Sequence, residues 1–137
     1  MTKNVRICIT GLHVSDEEDK IEQIYSGNYY LKDGKHYIFY EEVSDYDKKI
    51  KCSIKINNGV VSITKKGLYE YQIIFEELKS NVSYYSTPVG MLEVEIFTNS
   101  MEVREEEDTI SVHIKYALKI DKVHMSDCEV DIKIYSE

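Results

Sequence analysis

Lys49-Ile50-Lys51-Cys52-Ser53-Ile54-Lys55-Ile56 decides the fold. Ile50, Cys52, Ile54 and Ile56 occupy every second position, with Lys49, Lys51, Ser53 and Lys55 between them. Side chains of a β-strand point alternately to opposite faces, so this stretch has one dry face and one wet face. Two later stretches repeat the pattern. Ile110, Val112, Ile114, Tyr116, Leu118 and Ile120 alternate with Thr109, Ser111, His113, Lys115, Ala117 and Lys119. Cys128, Val130, Ile132 and Ile134 alternate with Glu129, Asp131, Lys133 and Tyr135.

Working outward, further strands are predicted over Val5–Ile9, Ile21–Lys32, Lys35–Val43, Val60–Lys66, Tyr69–Glu76, Val82–Thr87 and Met91–Thr98. The apolar phase slips at Gly11 and resumes on Leu12 and Val14, which reads as a bulge. Gly27 reads as a bend. Asp33-Gly34 and Asn57-Asn58-Gly59 are hairpin turns, because such residues tolerate φ > 0. Glu105 to Asp108 forms a charged tip, and Ser15 to Lys20 a turn or short helical piece. Eight to ten strands joined by short turns form a meander. A sheet wet on one face must hide the other, and closing on itself removes the edges that invite aggregation. The expectation is an all-β, antiparallel up-and-down barrel filling one domain over 1–137, with a two-sheet sandwich as the alternative.

Composition agrees. Twelve Tyr, many Ile and Val, one Pro and one Ala (Ala117) favour strand over helix. A formal net charge of −8, with Arg6 and Arg104 the two arginines, points away from nucleic acid and anionic lipid. Lys48, Lys49, Lys51 and Lys55 read as a solvated strand face. Cys8, Cys52 and Cys128 are odd in number and widely spaced, which suggests reduced thiols in a cytoplasmic protein rather than a disulfide framework. No apolar run suggests a signal peptide or a membrane helix.

Three segments resemble the YwiB-like family. The first runs Ser26-Gly27-Asn28-Tyr29-Tyr30-Leu31-Lys32-Asp33-Gly34-Lys35-His36-Tyr37-Ile38-Phe39-Tyr40-Glu41-Glu42. It is similar to that family's second hairpin, with Gly-x-Tyr-Tyr, a Gly turn and a Tyr-rich strand ending in acids. Thr87-Pro88-Val89-Gly90 resembles its Thr-Pro-aromatic-Gly segment, with Val89 in place of the aromatic. Ile110 to Leu118 resembles its long penultimate strand. The resemblance implies a calycin-type, lipocalin-like barrel of 8–10 strands in a cytoplasmic bacterial protein, and it carries no activity across. The Gly-x-Trp signature of true lipocalins is absent, as there is no Trp.

Candidate chemistry is sparse. His13, His36, His113 and His124 show no metal-ligand spacing, so neither a metal nor a cofactor is expected. Cys52 and Cys128 lie on apolar faces, where cysteine behaves as an inert hydrophobe. No nucleophile elbow or phosphate loop appears. Acid pairs such as Glu41-Glu42 and Glu93 with Glu95 read as solvated surface. Tyrosine is the distinctive feature. Tyr37 and Phe39 share one face, as do Tyr69, Tyr71, Ile73 and Phe75. Tyr37, Phe39, Tyr71, Phe75 and Tyr116 are the residues expected to line a ligand-binding interior. The first expectation is a non-enzymatic barrel that binds a small apolar or amphipathic ligand. The second is a protein–protein or regulatory module acting through its outer surface, with a homodimer left open.

Overall fold

The computed structural model describes residues 1–11, 22–43, 48–67 and 70–137. These form ten strands: β1 (Asn4–Thr10), β2 (Glu22–Lys32), β3 (Lys35–Val43), β4 (Lys49–Asn57), β5 (Val60–Lys66), β6 (Glu70–Glu76), β7 (Ser80–Thr87), β8 (Gly90–Glu105), β9 (Thr109–Ile120) and β10 (Val123–Ser136). All belong to one antiparallel sheet in the order β6-β5-β4-β3-β2-β1-β10-β9-β8-β7. Every pair of sequence neighbours except β6 and β7 is joined by a ladder, and β1 pairs with β10, which is the up-and-down meander expected. The barrel closes between β6 and β7 through side chains: Ser83 Oγ donates to the Gln72 carbonyl at 2.6 Å, and the Tyr71 and Tyr85 rings stack at 4.4 Å.

The alternation fills the interior. Ile54 faces Ile38 and Ile63 across its two ladders; Ile132 faces Ile9 and Val112. Ile7, Ile38, Ile54, Ile63, Phe75, Ile110, Ile114, Ile132 and Ile134 are fully buried. Each such side chain stabilises the fold by about 1.5–3 kcal/mol. The Ile50–Ile56 and Ile110–Ile120 faces therefore point where their spacing predicts.

Asp33 and Gly34 have φ of 53° and 76°, and Asn58 and Gly59 of 45° and 78°. These are two-residue turns with both central residues left-handed, whose twist matches that of the flanking strands. Gly27 is the bend in β2, where the strand passes from its ladder with β1 to its ladder with β3. A Cβ there would stand 2.3 Å from the Phe39 carbonyl oxygen and 2.9 Å from Ile7 Cδ1. At Gly11, β1 has already ended; Leu12, Val14, the Ser15–Lys20 segment, His13 and Tyr69 lie outside the described residues.

β8 runs past the expected end at Thr98, on to Glu105. A bulge between Thr98 and Ser100 shifts its register, so Leu92, Val94, Ile96 and Thr98 face inward before it and Met101 and Val103 after it. Period two is broken there, which hid the second half of the strand.

The connections sort into two ends. The turns after β2, β4, β6 and β8 lie at the base with both chain termini; the turns after β7 and β9 lie at the opposite end, the mouth.

Candidate functional site

The base is stoppered by a polar chain. His36 continues the inward phase of Ile38 and Tyr40 to the start of β3. The Tyr29 hydroxyl lies 2.6 Å from His36 Nδ1, and His36 Nε2 lies 2.8 Å from Glu105 Oε1. A ring protonated on Nε2 accepts from Tyr29 and donates to Glu105. Burial, with the Glu105 charge, raises the Tyr29 phenol above its ordinary pKa.

The mouth is different. A cavity of about 360 Å³ lies under it, walled by Tyr71, Ile73, Tyr85, Leu92, Val94, Ile96, Tyr116, Leu118 and Ile120, with Lys65 at one side. Tyr71 and Ile73 come from the inward phase of β6, Tyr85 from β7, and the aliphatic wall from β8 and β9. Phe75, behind the wall, meets Tyr116 edge to face at 5.1 Å. Burial raises the phenols of Tyr71, Tyr85 and Tyr116, so all three are neutral hydroxyls.

Beside the cavity lies a buried polar cluster. Lys65 Nζ donates to Glu42 Oε1 at 2.8 Å, and the Tyr25 hydroxyl donates to the same oxygen at 3.2 Å. The Lys65 and Glu42 side chains are 14% and 17% exposed, far less than any other Lys–carboxylate pair of the described residues. Burial alone would lower the Lys65 ammonium, but the hydrogen bond to Glu42 and the surrounding charges outweigh it and hold the group above its usual value. The Tyr40 ring lies tilted against Tyr25 with centroids 4.7 Å apart, and its buried hydroxyl has no hydrogen-bond partner among the described residues. Burial, then the Glu42 charge, pushes the Cys52 thiol up to about 11.

Of the five residues expected to line the interior, Tyr71 and Tyr116 wall the cavity, and Phe75 is buried in the core against Tyr116 without lining it. Tyr37 and Phe39 do not line it. They share the outward phase of β3, opposite the buried Ile38 and Tyr40. Phe39 is 44% exposed and meets Tyr30 edge to face at 5.8 Å; Lys55 Nζ stands 5.6 Å from the Tyr37 ring centre. Both phases of Tyr37-Ile38-Phe39-Tyr40 are apolar, so alternation does not fix which faces inward. The Asp33-Gly34 turn does: it sets Phe39 opposite Asn28 and Tyr37 opposite Tyr30, on the polar phase of β2. Glu42 is a second correction, since it follows Ile38 and Tyr40 inward while Glu41 is exposed. Lys65 was the residue missed; it shares the inward phase of Val61 and Ile63, a readable sign of a charge placed in an interior.

A second concavity, of about 490 Å³, lies on β1, β8, β9, β10 and the start of β2 and includes Cys8, Glu22, His113 and Asp131. Burial and the neighbouring Glu22 carboxylate raise the Cys8 thiol, the opposite of nucleophile activation. His113 pairs with Asp131 and with Glu129 at 3.1 Å, an outward cross-strand charge cluster. Among the described residues no three His, Cys, Asp or Glu converge as metal ligands, and no helix is long and apolar enough to cross a membrane.

Against known proteins, the chain is 27% identical over 103 residues to the uncharacterised β-barrel protein YwiB of Bacillus subtilis (strain 168), covering 75% of this chain and 72% of that protein. The crystal structure of the ywiB protein from Bacillus subtilis matches the fold with a TM-score of 0.76 at 23% identity, covering 98% of this chain and 90% of that one. A family model described as a domain of unknown function (DUF1934) matches residues 7–132. With that match running from β1 to within β10, this chain belongs to the DUF1934 family, whose barrel it shares with YwiB.

Proposed function

We propose that this protein is a non-enzymatic, cytoplasmic, calycin-like barrel that binds one small apolar or amphipathic molecule in the cavity under its mouth. The observation that carries this reading is the cavity itself: about 360 Å³, walled by aliphatic side chains and three phenols, with one charged group, Lys65. Small-molecule sites have this character, mostly apolar walls with a few placed polar groups, and volumes from about 300 Å³ upward. Its titratable groups are phenols held protonated and an ammonium held charged, which suit recognition better than proton transfer near neutral pH. The unpaired cysteines fit a reducing compartment. An outer surface bearing Lys51, Lys115 and Lys133 on central strands differs from the apolar band of a membrane barrel.

Calorimetric titration with 2-naphthol tests the reading. Saturable one-to-one binding is expected, and Leu92→Trp, which fills the mouth, is expected to remove it. Absence of binding to the parent, or equal binding to the filled variant, overturns it.

A second reading rests on the outer face of the β2–β3 hairpin, where Tyr30, Tyr37 and Phe39 lie together, with Lys3 Nζ 5.6 Å from the Tyr30 ring centre. Exposed rings flanked by cations suit contact with another protein surface, a second copy of the chain included. Light scattering over a concentration series tests the dimer: a mass of one chain at every concentration rules it out.

A further inference from the structure

Lys65 lies in the cavity wall; Glu42, its partner, does not. A molecule in the cavity therefore meets the Lys65 side chain from the apolar side, with its Glu42 partner outside the wall. An ammonium has three donors, and Glu42 engages one. Tyr71 stands directly opposite Lys65 across the β5–β6 ladder, and Tyr85 stacks on Tyr71, so the polar corner combines one cation with phenol hydroxyls. Apart from Tyr116, the remaining wall, Ile73, Leu92, Val94, Ile96 and Leu118 among it, offers a ligand only apolar side-chain surface.

We propose that the cavity takes an apolar monocarboxylate, its carboxylate seated on the Lys65 ammonium and the Tyr71 hydroxyl and its hydrocarbon body against the aliphatic wall. This rests on the binding reading above and names the ligand class. Size limits the molecule: about 360 Å³ is the room of about a dozen waters, which suits on the order of a dozen non-hydrogen atoms. Charge limits it further. A cationic head is repelled by Lys65. A neutral head forgoes the charge-assisted hydrogen bond, which is stronger than a neutral one and stronger still away from water. A second carboxylate would be left against Leu92 or Val94 without a counter-ion, at high desolvation cost. The net charge of −8 does not bar an anion here, because at physiological salt its field is screened over about 8 Å while Lys65 is in contact.

The test titrates the full chain with decanoate, 1-decanol, decylammonium and decanedioate by calorimetry. Decanoate is expected to bind about tenfold or more tighter than 1-decanol, a ratio typical of one added charge-assisted bond, with decylammonium and decanedioate weaker than both. In Lys65→Met, decanoate is expected to fall to the level of 1-decanol while 1-decanol is unchanged. If that variant does not fold, Glu42→Leu with Lys65→Met removes both charges and carries the same expectation. Equal binding of decanoate and 1-decanol to the parent, or a preference for decanoate that survives loss of Lys65, overturns this inference and leaves the binding cavity standing. Failure of all four probes overturns both.

Discussion

Lys65 Nζ and Glu42 Oε1 lie 2.8 Å apart although their strands, β5 and β3, are separated by β4. Lys65 sits opposite Cys52 in the β4–β5 ladder, and Glu42 opposite Ile50 in the β3–β4 ladder. The pair thus spans β4 on the inner face, where the sheet curves enough for the two side chains to meet. Such a link depends on closure, since an open, flatter sheet would hold these side chains apart.

Breaking this pair is expected to be costly and non-additive. Glu42→Leu strands an ammonium and Lys65→Met strands a carboxylate, each at about 3–5 kcal/mol, because an unpaired charge must then be buried or hydrated. The double variant is expected to recover most of the loss, since apolar replacements of a buried pair are often neutral. Urea unfolding of the four proteins checks this. Additive losses in the double variant would show that the charges do not interact.

Phe75 and Phe39 are the same residue type on opposite faces. Phe75 is fully buried against Tyr116, so Phe75→Ala is expected to cost about 3–5 kcal/mol. Phe39 gives up a half-exposed contact with Tyr30, so Phe39→Ala is expected to cost at most about 1 kcal/mol. The difference in denaturation midpoint checks the inward phase of β3 and β6 together. Comparable losses would mean that Phe39, not Ile38, faces the core.

That contrast marks how far the sequence could be read. Where one phase is apolar and the other charged, as in β4, β9 and the later part of β10, every buried residue is legible from spacing alone. In β3 both phases are apolar, and the inward one is chosen by pairing: Ile38 with Ile54, Tyr40 with Cys52. The cavity was legible only in part. Tyr71 and Tyr116 could be placed inward by phase, but an unfilled space depends on how strands from distant parts of the chain stagger as the barrel closes. Lys65 carried a readable sign and Glu42 a readable phase; their meeting across β4 is a product of curvature, which no local pattern records.

The β9–β10 turn is built without glycine, although Asp121 and Lys122 have φ of 49° and 70°. Asp121 has a reason to be there: its carboxylate accepts from the Glu93 backbone N–H at 3.1 Å, and its own N–H donates to the Glu93 carbonyl at 2.9 Å. The Lys122 side chain makes no hydrogen bond or ion pair among the described residues. A left-handed conformation costs an L-residue about 1–2 kcal/mol, partly offset in glycine by its freer unfolded chain. Lys122→Gly is therefore expected to stabilise the protein by about 0.5–1 kcal/mol, read as a raised urea midpoint at unchanged slope. A lowered midpoint would contradict a strained turn.

Cys52 makes stability fall on the alkaline side. Its thiol stays protonated in the fold to about pH 11, because burial and then the Glu42 charge oppose the thiolate; the unfolded thiol ionises near its ordinary value of 9.0. The folded pKa is the higher one, so this contribution is complete below pH 9 and is lost as pH rises towards 11. Between pH 8 and 9.5 the unfolded state gains ionisation that the fold refuses, worth about 1 kcal/mol from this group. Lys65 remains charged through that window, its pKa being held above 10.5, so the ion pair stays intact. The phenols of Tyr25, Tyr40, Tyr85 and Tyr116 are raised as well, but from 10.0, and act mainly above the window. Removing the thiol should flatten the profile: Cys52→Ala is expected to lose about 1 kcal/mol less than the parent between pH 8 and 9.5, whatever its absolute stability. Parallel profiles for the two proteins would mean that the thiol ionises as readily in the barrel as in the open chain, and that the space between Tyr40 and Lys65 is wet.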